Sequence, residues 1–132
     1  MEYIKVYDLK EDKEKIALIQ NATLNTDYAG LKMEHGLFGT EEWWQAIEQG
    51  LFPKKVIEGT ISRVYMSGQG SNYPEFEIES IDGKTQWTRE GDERYFIVGK
   101  KVRLTYILQE KKKPCKILGK YSETVLTIEI EK

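Results

Sequence analysis

One histidine and one cysteine are the side chains of this sequence with the strongest metal-binding and nucleophilic chemistry. His35 lies in the stretch MEHGLFG, and Cys115 follows three lysines and a proline much later in the chain. A structural zinc site needs about four such ligands, so this pair offers no convincing transition-metal set. We interpret His35 as a loop residue and Cys115 as a passive thiol. The sequence therefore predicts no catalytic residue, no metal site and no cofactor.

Three glutamates alternate with apolar residues in the stretch EFEIES and could supply acid–base chemistry. Glu75, Glu77 and Glu79 project from one side of a predicted strand at a spacing of about 7 Å, which is near that of glycosidase carboxylate pairs. The same alternation is typical of any half-buried strand. We therefore interpret them as solvated residues on the outer face.

The stretch MSGQGSNYPEF places two glycines, Gly68 and Gly70, where backbone could approach a phosphate. It lacks the Lys-Ser or Lys-Thr of a P-loop and does not open a helix. We expect a loop between two strands, with Tyr73 as an aromatic side chain available to a ligand.

Five lysines and a tyrosine crowd the stretch EKKKPCKILGKY, which we expect to connect the last two strands. They are Lys111, Lys112, Lys113, Lys116, Lys120 and Tyr121. Such a connection could hold backbone phosphates while the tyrosine stacks on a base, which makes weak single-stranded nucleic-acid binding the alternative function. A solvated basic turn is the simpler interpretation, since the acidic strand face described above would repel a phosphate chain.

Opposite charges alternate in the stretch TREGDERYF. Surface pairs of this kind contribute little to stability. Arg89 and Arg94 could instead anchor a partner at the rim of the protein, and we include them among the candidate binding residues.

The elements that position these residues change in character near Pro53. Beyond it, five strands are predicted in the stretches KVIEGTISRVYM, FEIESI, KTQWTR, KKVRLTYIL and TVLTIEIE. Asp82-Gly83 predicts a two-residue hairpin loop that pairs Ile81 with Lys84 and Ile78 with Trp87. In the first strand, Gly59 and a slipped alternation between Ile61 and Val64 predict a bend or bulge. The expected inner faces are Phe76, Ile78 and Trp87; Val102, Leu104, Tyr106 and Leu108; and Leu126, Ile128 and Ile130.

This order of strands resembles that of OB-fold barrels, and the stretches EGTISRV and VGKKVRLTY resemble their first and fourth strands. The resemblance covers about 80 residues and concerns architecture alone, with an SH3-like barrel as the alternative. We predict an α+β, mainly β protein whose residues 54–132 form a small five-stranded antiparallel barrel. A barrel of this kind does not imply a particular function.

Residues 1–53 are predicted to pack on that barrel and to form one globular domain with it. They begin with a strand, continue as either a helix or a strand over residues 9–22, and contain a helix in EEWWQAIEQG. Thr40 is the expected N-cap and Gly50 the residue that ends this helix in a left-handed conformation. Trp43, Trp44 and Ile47 fall within one apolar stripe, so both indoles are expected to face the core.

The whole chain has the composition of a soluble globular protein. It has 132 residues and a net charge of −2, with five basic against ten acidic residues in 1–53 and 15 against 12 in 54–132. No stretch is apolar enough to span a membrane, and we expect a cytoplasmic location. Oligomeric state is left open. We predict a non-enzymatic module that binds another protein, of inhibitor or immunity type.

Overall fold

The computed structural model describes residues 2–115, 117 and 119–132, with Cys115 described by its backbone alone. Six strands and two helices form in the order β1 (Tyr3–Asp8), α1 (Lys13–Asn25), α2 (Glu41–Glu48), β2 (Lys54–Ser67), β3 (Tyr73–Ser80), β4 (Gly83–Thr88), β5 (Lys101–Cys115) and β6 (Gly119–Glu131). Short 3₁₀ turns cover Leu9–Glu11 and Glu93–Tyr95. The expected α+β, mainly β class is confirmed. None of the described helices is long and apolar enough to cross a membrane.

The six strands form one sheet in the order β1-β6-β5-β2-β3-β4, in which β1 and β4 are the edges. The five strands predicted beyond Pro53 and the strand predicted at the N-terminus are confirmed, but the N-terminal strand joins the same sheet by pairing antiparallel with β6, so the sheet has six strands and not five. Closure of the sheet into a barrel is not shown by the pairings of the described residues. The OB-like and SH3-like barrels stay predictions.

The chain forms two compact units. The first contains residues 1–8, 56–105 and 127–132; the second contains residues 9–55 and 106–126. Both β5 and β6 run from one unit into the other. The predicted division into 1–53 and 54–132 within a single domain stays a prediction.

The core of the first unit is built from the inner faces of β2, β3 and β4 together with Val102 and Leu104 of β5 and Ile128 and Ile130 of β6, which are fully buried as predicted. Ile61, Phe76 and Ile78 are fully buried, and Trp87 is buried opposite Phe76. The predicted bulge in β2 is confirmed by a register shift between Ile61 and Arg63.

The β3–β4 hairpin has the predicted faces but a different register. Ser80 pairs with Gly83 and Ile78 with Thr85, so the two-residue loop is Ile81-Asp82 and not Asp82-Gly83. The predicted pairing of Ile78 with Trp87 is therefore wrong by two positions. A shift of two keeps every side chain on its face, which explains why the predicted core residues are nevertheless buried.

Two other strands depart from simple alternation. In β1, a bulge between Lys5 and Tyr7 buries both Val6 and Tyr7, although neighbouring side chains of a regular strand point to opposite faces. In β5, the buried positions change from even to odd between Tyr106 and Ile107, so Leu108 does not share the face of Val102, Leu104 and Tyr106 as predicted. A one-residue slip turns all later side chains to the other face of a strand.

The open choice over residues 9–22 is settled in favour of a helix, α1, which begins at Lys13. Leu9 is buried in a 3₁₀ turn, and α1 starts after Asp12, whose carboxylate accepts a hydrogen bond from the Lys15 amide at 3.1 Å. Asp12 therefore caps the helix.

The second helix follows its prediction closely. The Thr40 hydroxyl accepts from the Trp43 amide at 3.5 Å, and Gly50 has a φ of 77°. Trp43 is fully buried and packs edge-on against Trp44 at 4.8 Å. Trp44 is only partly buried, and its indole donates to the Gly39 carbonyl. Both indoles thus serve packing, with Trp44 at the margin of the core.

Candidate functional site

The described lysines of the lysine-rich stretch lie in strands, where a connection was expected. Residues 110–115 continue β5, and Lys120 and Tyr121 belong to β6. A long-range pairing explains this extension: the amide of Lys32 donates to the Glu110 carbonyl at 3.0 Å, and that of Lys112 to the Gly30 carbonyl at 3.1 Å. Residues 30–32 therefore act as a short neighbouring strand. Lys116 and the side chain of Cys115 lie outside the described residues, and the expectations for them stay predictions.

Lys112 completes the C-terminal end of α1. Its Nζ donates to the Thr23 carbonyl at 2.5 Å and to the Thr26 carbonyl. Carbonyls of the last helical turn lack partners within the helix, and a cation there also interacts favourably with the helix dipole. This lysine joins α1 to β5 and is not presented to solvent as a phosphate-binding residue would be.

The Glu110 carboxylate forms ion pairs with two neighbouring lysines. Its carboxylate lies 2.8 Å from Lys32 Nζ and 3.4 Å from Lys120 Nζ. The hydrogen bond from Lys32 lowers the pKa of Glu110, with a further contribution from Lys120, and the same bond raises the pKa of Lys32. Two basic residues of this region are thus matched by one acid within the protein.

Lys111 and Lys113 border an open groove of about 510 Å³ in the second unit. One wall is α1, with Leu18, Ile19 and Ala22; a second is the segment 28–31; and the floor is formed by β5 and β6, with Lys111, Lys113, Ser122 and Thr124. Its volume is within the range usual for ligand pockets. The predicted residues Lys111 and Lys113 therefore meet here.

Close packing fixes the wall formed by residues 28–31. The buried Thr23 hydroxyl accepts from the Leu31 amide at 3.2 Å and donates to the Ile19 carbonyl at 2.8 Å. Gly30 has a φ of 97°, and a Cβ there would lie 2.4 Å from that hydroxyl. Only glycine fits this position, so α1 and the segment beside it hold a defined geometry.

A buried polar network continues from the groove region into the core of the same unit. Gln109 Oε1 accepts from the Trp43 indole at 3.1 Å, and Gln109 Nε2 donates to the Lys32 carbonyl at 3.1 Å. Gln109 is only 3% exposed. The network connects α2, β5 and the segment 30–32, the three elements around Gln109.

Three other predicted binding residues lie in the first unit. Tyr73 starts β3 and is 61% exposed, with its ring against Gly68. Arg89 donates from Nη2 to the Tyr65 carbonyl and to Met66 Sδ, both at 3.1 Å. Arg94 is exposed and forms a bidentate pair with Asp92, which raises the pKa of Arg94 and lowers that of Asp92. Tyr73 and Arg89 both lie near the β2–β3 turn.

Tyr121 is half-exposed on β6 in the second unit. Lys120 Nζ lies 5.7 Å from the centre of its ring, at cation–π distance. The described candidate binding residues thus form two sets. Tyr73, Arg89 and Arg94 lie in the first unit, and Lys111, Lys112, Lys113 and Tyr121 lie in the second.

Glu77 and His35, two of the residues first considered for chemistry, are held in structural contacts. Glu77 accepts hydrogen bonds from Gln86 and Ser62, and these bonds lower its pKa. His35 packs edge-on against Phe52 at 5.1 Å and borders a shallow cavity of about 200 Å³ with Glu34 and Glu42. Within the part of the chain that the structure describes, no group of three or more His, Cys, Asp and Glu residues stands together as metal ligands would.

Sequence reasoning did not predict the groove. Leu18, Ile19 and Ala22 could have been identified by their helical spacing, although the notable exposure of Leu18 (68%) has no signal in the sequence. The position of β5 opposite them depends on its pairing with residues 30–32, far away in the chain. No local pattern contains that information.

Comparison with protein families identifies the chain. A family model described as immunity protein RhsI2 matches residues 3–131. No curated protein matches the chain. The family match confirms the predicted immunity-type, protein-binding function, whereas a cytoplasmic location and the absence of catalysis stay predictions. The match spans nearly the whole chain, and the protein belongs to the RhsI2 immunity protein family.

Proposed function

We propose that this protein neutralises a toxin by binding it stoichiometrically, without catalysis. The observation that carries the proposal is the family match over residues 3–131, since an immunity protein acts on a partner protein, the toxin. The structure adds two surfaces that suit protein recognition: the groove of the second unit, and the exposed Tyr73 and Met66 beside Arg89 in the first. Aromatic residues, methionine and arginine are enriched at protein interfaces.

Growth protection provides the first test. A tagged copy of the chain, expressed in its native host, is used to capture its partner, and the gene of the captured protein is then expressed alone and together with the chain. We expect growth arrest by the partner alone and normal growth on co-expression. A stoichiometric partner that is harmless alone, or a toxic one against which co-expression gives no protection, would contradict the proposal.

Titration distinguishes binding from catalysis. The purified chain is added in increasing amounts to a fixed amount of the purified toxin, and residual toxicity or toxin activity is measured. Stoichiometric inhibition predicts that protection rises linearly and saturates near equimolar amounts. Full protection at a small fraction of that ratio would show turnover and rule out the non-enzymatic mechanism.

We further propose that the protein acts in the cytoplasm. Its single cysteine suits a reducing compartment, although it does not require one. Cell fractionation is the measurement: the chain should be recovered with cytosolic markers, and recovery with secreted or membrane markers would contradict this location.

Nucleic-acid binding is not proposed as a second function. Lys112 is engaged by the end of α1 and Lys120 by Glu110, so two of the lysines on which that alternative depended have partners within the chain. The alternative stays a prediction, which a gel-shift experiment at low salt with single-stranded DNA would test.

A further inference from the structure

We propose that the groove of the second unit is the docking site for a toxin segment that presents a large apolar side chain next to a carboxylate. This inference rests on the proposed function and adds where and by what chemistry the toxin is recognised. The occupant is defined by the walls of the groove: apolar on α1 and the segment 28–31, and basic along β5.

The apolar part of the argument comes from exposure. Leu18 is 68% and Tyr28 76% exposed, and both line the same groove, Leu18 from α1 and Tyr28 from the segment 28–31. Removing such apolar surface from water on binding stabilises a complex. An apolar side chain of the toxin placed between them would bury both at once.

The charged residues that line the groove indicate which chemical group of the toxin should lie next to that apolar side chain. The charged residues among those that line the groove are Lys111 and Lys113, both on β5, and no Asp or Glu is among the described residues that line it. Lys113 is exposed. A carboxylate on the toxin would meet the exposed Lys113 in a lining whose charged residues are basic, and electrostatic complementarity of this kind gives specificity and faster association.

The groove is preformed, which lowers the cost of docking. Its walls are tied together by Lys112 bound to the end of α1 and by the Thr23 hydroxyl bound to the Leu31 amide. Surfaces that are already ordered lose less conformational entropy on binding.

Two leucines of α1 allow a matched test. Leu18 lines the groove, whereas Leu24 is similarly exposed (58%) and does not line it. Leu18→Glu and Lys113→Glu place negative charge beside the docking carboxylate; Leu24→Glu makes the same chemical change outside the groove. Affinity of each purified variant for the purified toxin captured by the wild-type chain is measured by titration calorimetry, and thermal unfolding verifies that each variant is folded.

We expect Leu18→Glu and Lys113→Glu each to weaken toxin binding by about tenfold or more, and Leu24→Glu to stay within about twofold of wild type. Wild-type affinity in both Leu18→Glu and Lys113→Glu would overturn the groove as the docking site while leaving the proposed function intact. A dimer of the wild-type chain that Leu18→Glu dissociates without any loss of toxin affinity would assign the groove to a second copy and likewise overturn the inference. If the wild-type chain captures no toxin, the proposed function itself fails.

Discussion

Gln109 is a polar side chain in the core whose amide oxygen and nitrogen both form hydrogen bonds within the protein. It accepts from the Trp43 indole and donates to the Lys32 carbonyl, and it is buried. Gln109→Leu would leave a buried donor and a buried acceptor without a partner, each costing about 1–3 kcal/mol. We therefore expect a loss of about 2 kcal/mol or more in the free energy of unfolding, measured by urea denaturation.

The exposed Gln69 provides the control for this substitution. Gln69→Leu removes the same amide without orphaning buried atoms, and surface changes usually remain within about 0.5 kcal/mol of wild type. Equal stability of Gln109→Leu and Gln69→Leu would contradict the role assigned to the network.

Glu110 makes stability depend on pH. Its folded-state pKa lies below the ordinary value of 4.5 because of the hydrogen bond from Lys32. The unfolded chain therefore takes up a proton first as pH falls, so the stabilisation is fully present above about 4.5 and is lost as pH falls through the lowered value.

Two substitutions test this carboxylate with the same readout. Glu110→Gln removes the titrating group and Lys32→Met removes the hydrogen-bond donor, so both should flatten the decline in unfolding free energy between neutral pH and pH values below 4.5. Urea denaturation at several pH values gives the slope. A Lys32→Met variant with the full wild-type slope would show that Lys32 is not the cause.

At the level of elements, the order of strands in the sheet predicts that β4 is hydrogen-bonded on one side only. This strand pairs with β3 and is an edge of the sheet, whereas β5 lies between β6 and β2. Successive amides of an edge strand point alternately to the partner and away from it. We expect every second amide of Gly83–Thr88 to exchange quickly with solvent deuterium, while amides of both orientations in the first part of β5 exchange slowly.

The same hydrogen-exchange measurement tests whether the sheet closes into an OB-like barrel. Closure would give β4 a second neighbour and protect its outward amides as well. Slow exchange at all β4 amides would therefore contradict the open edge and support a closed barrel.

The sequence could predict those features of these elements that depend on neighbouring residues, and not those that depend on contacts between distant residues. Asp82-Gly83 located the hairpin correctly, although the real loop lies one position earlier, because turn propensities do not fix register to within two residues. The slip in β5 at Tyr106–Ile107 and the pairing of residues 30–32 with β5 depend on contacts between distant parts of the chain. The candidate groove depends on both, so single residues such as Lys113 were predicted and their arrangement was not.

At the level of the whole molecule, chain continuity predicts how the two units unfold. Both β5 and β6 contribute residues to each unit without a break in the strand. If one unit unfolded alone, β5 and β6 would each be interrupted at the boundary between the units. The backbone hydrogen bonds that pair these strands would then be lost at that point. We expect one cooperative transition in urea, as small single domains usually show.

The positions of the tryptophans make this measurable. Trp87 lies in the first unit and Trp43 and Trp44 in the second, so in a Trp87→Phe variant tryptophan fluorescence reports on the second unit alone. Far-UV circular dichroism reports on strands of both. Coincident midpoints in this variant would support one cooperative domain, because the second unit then unfolds together with the rest. Two separated transitions would show that β5 and β6 can lose their pairing in one unit while keeping it in the other, and the chain would count as two domains that share strands.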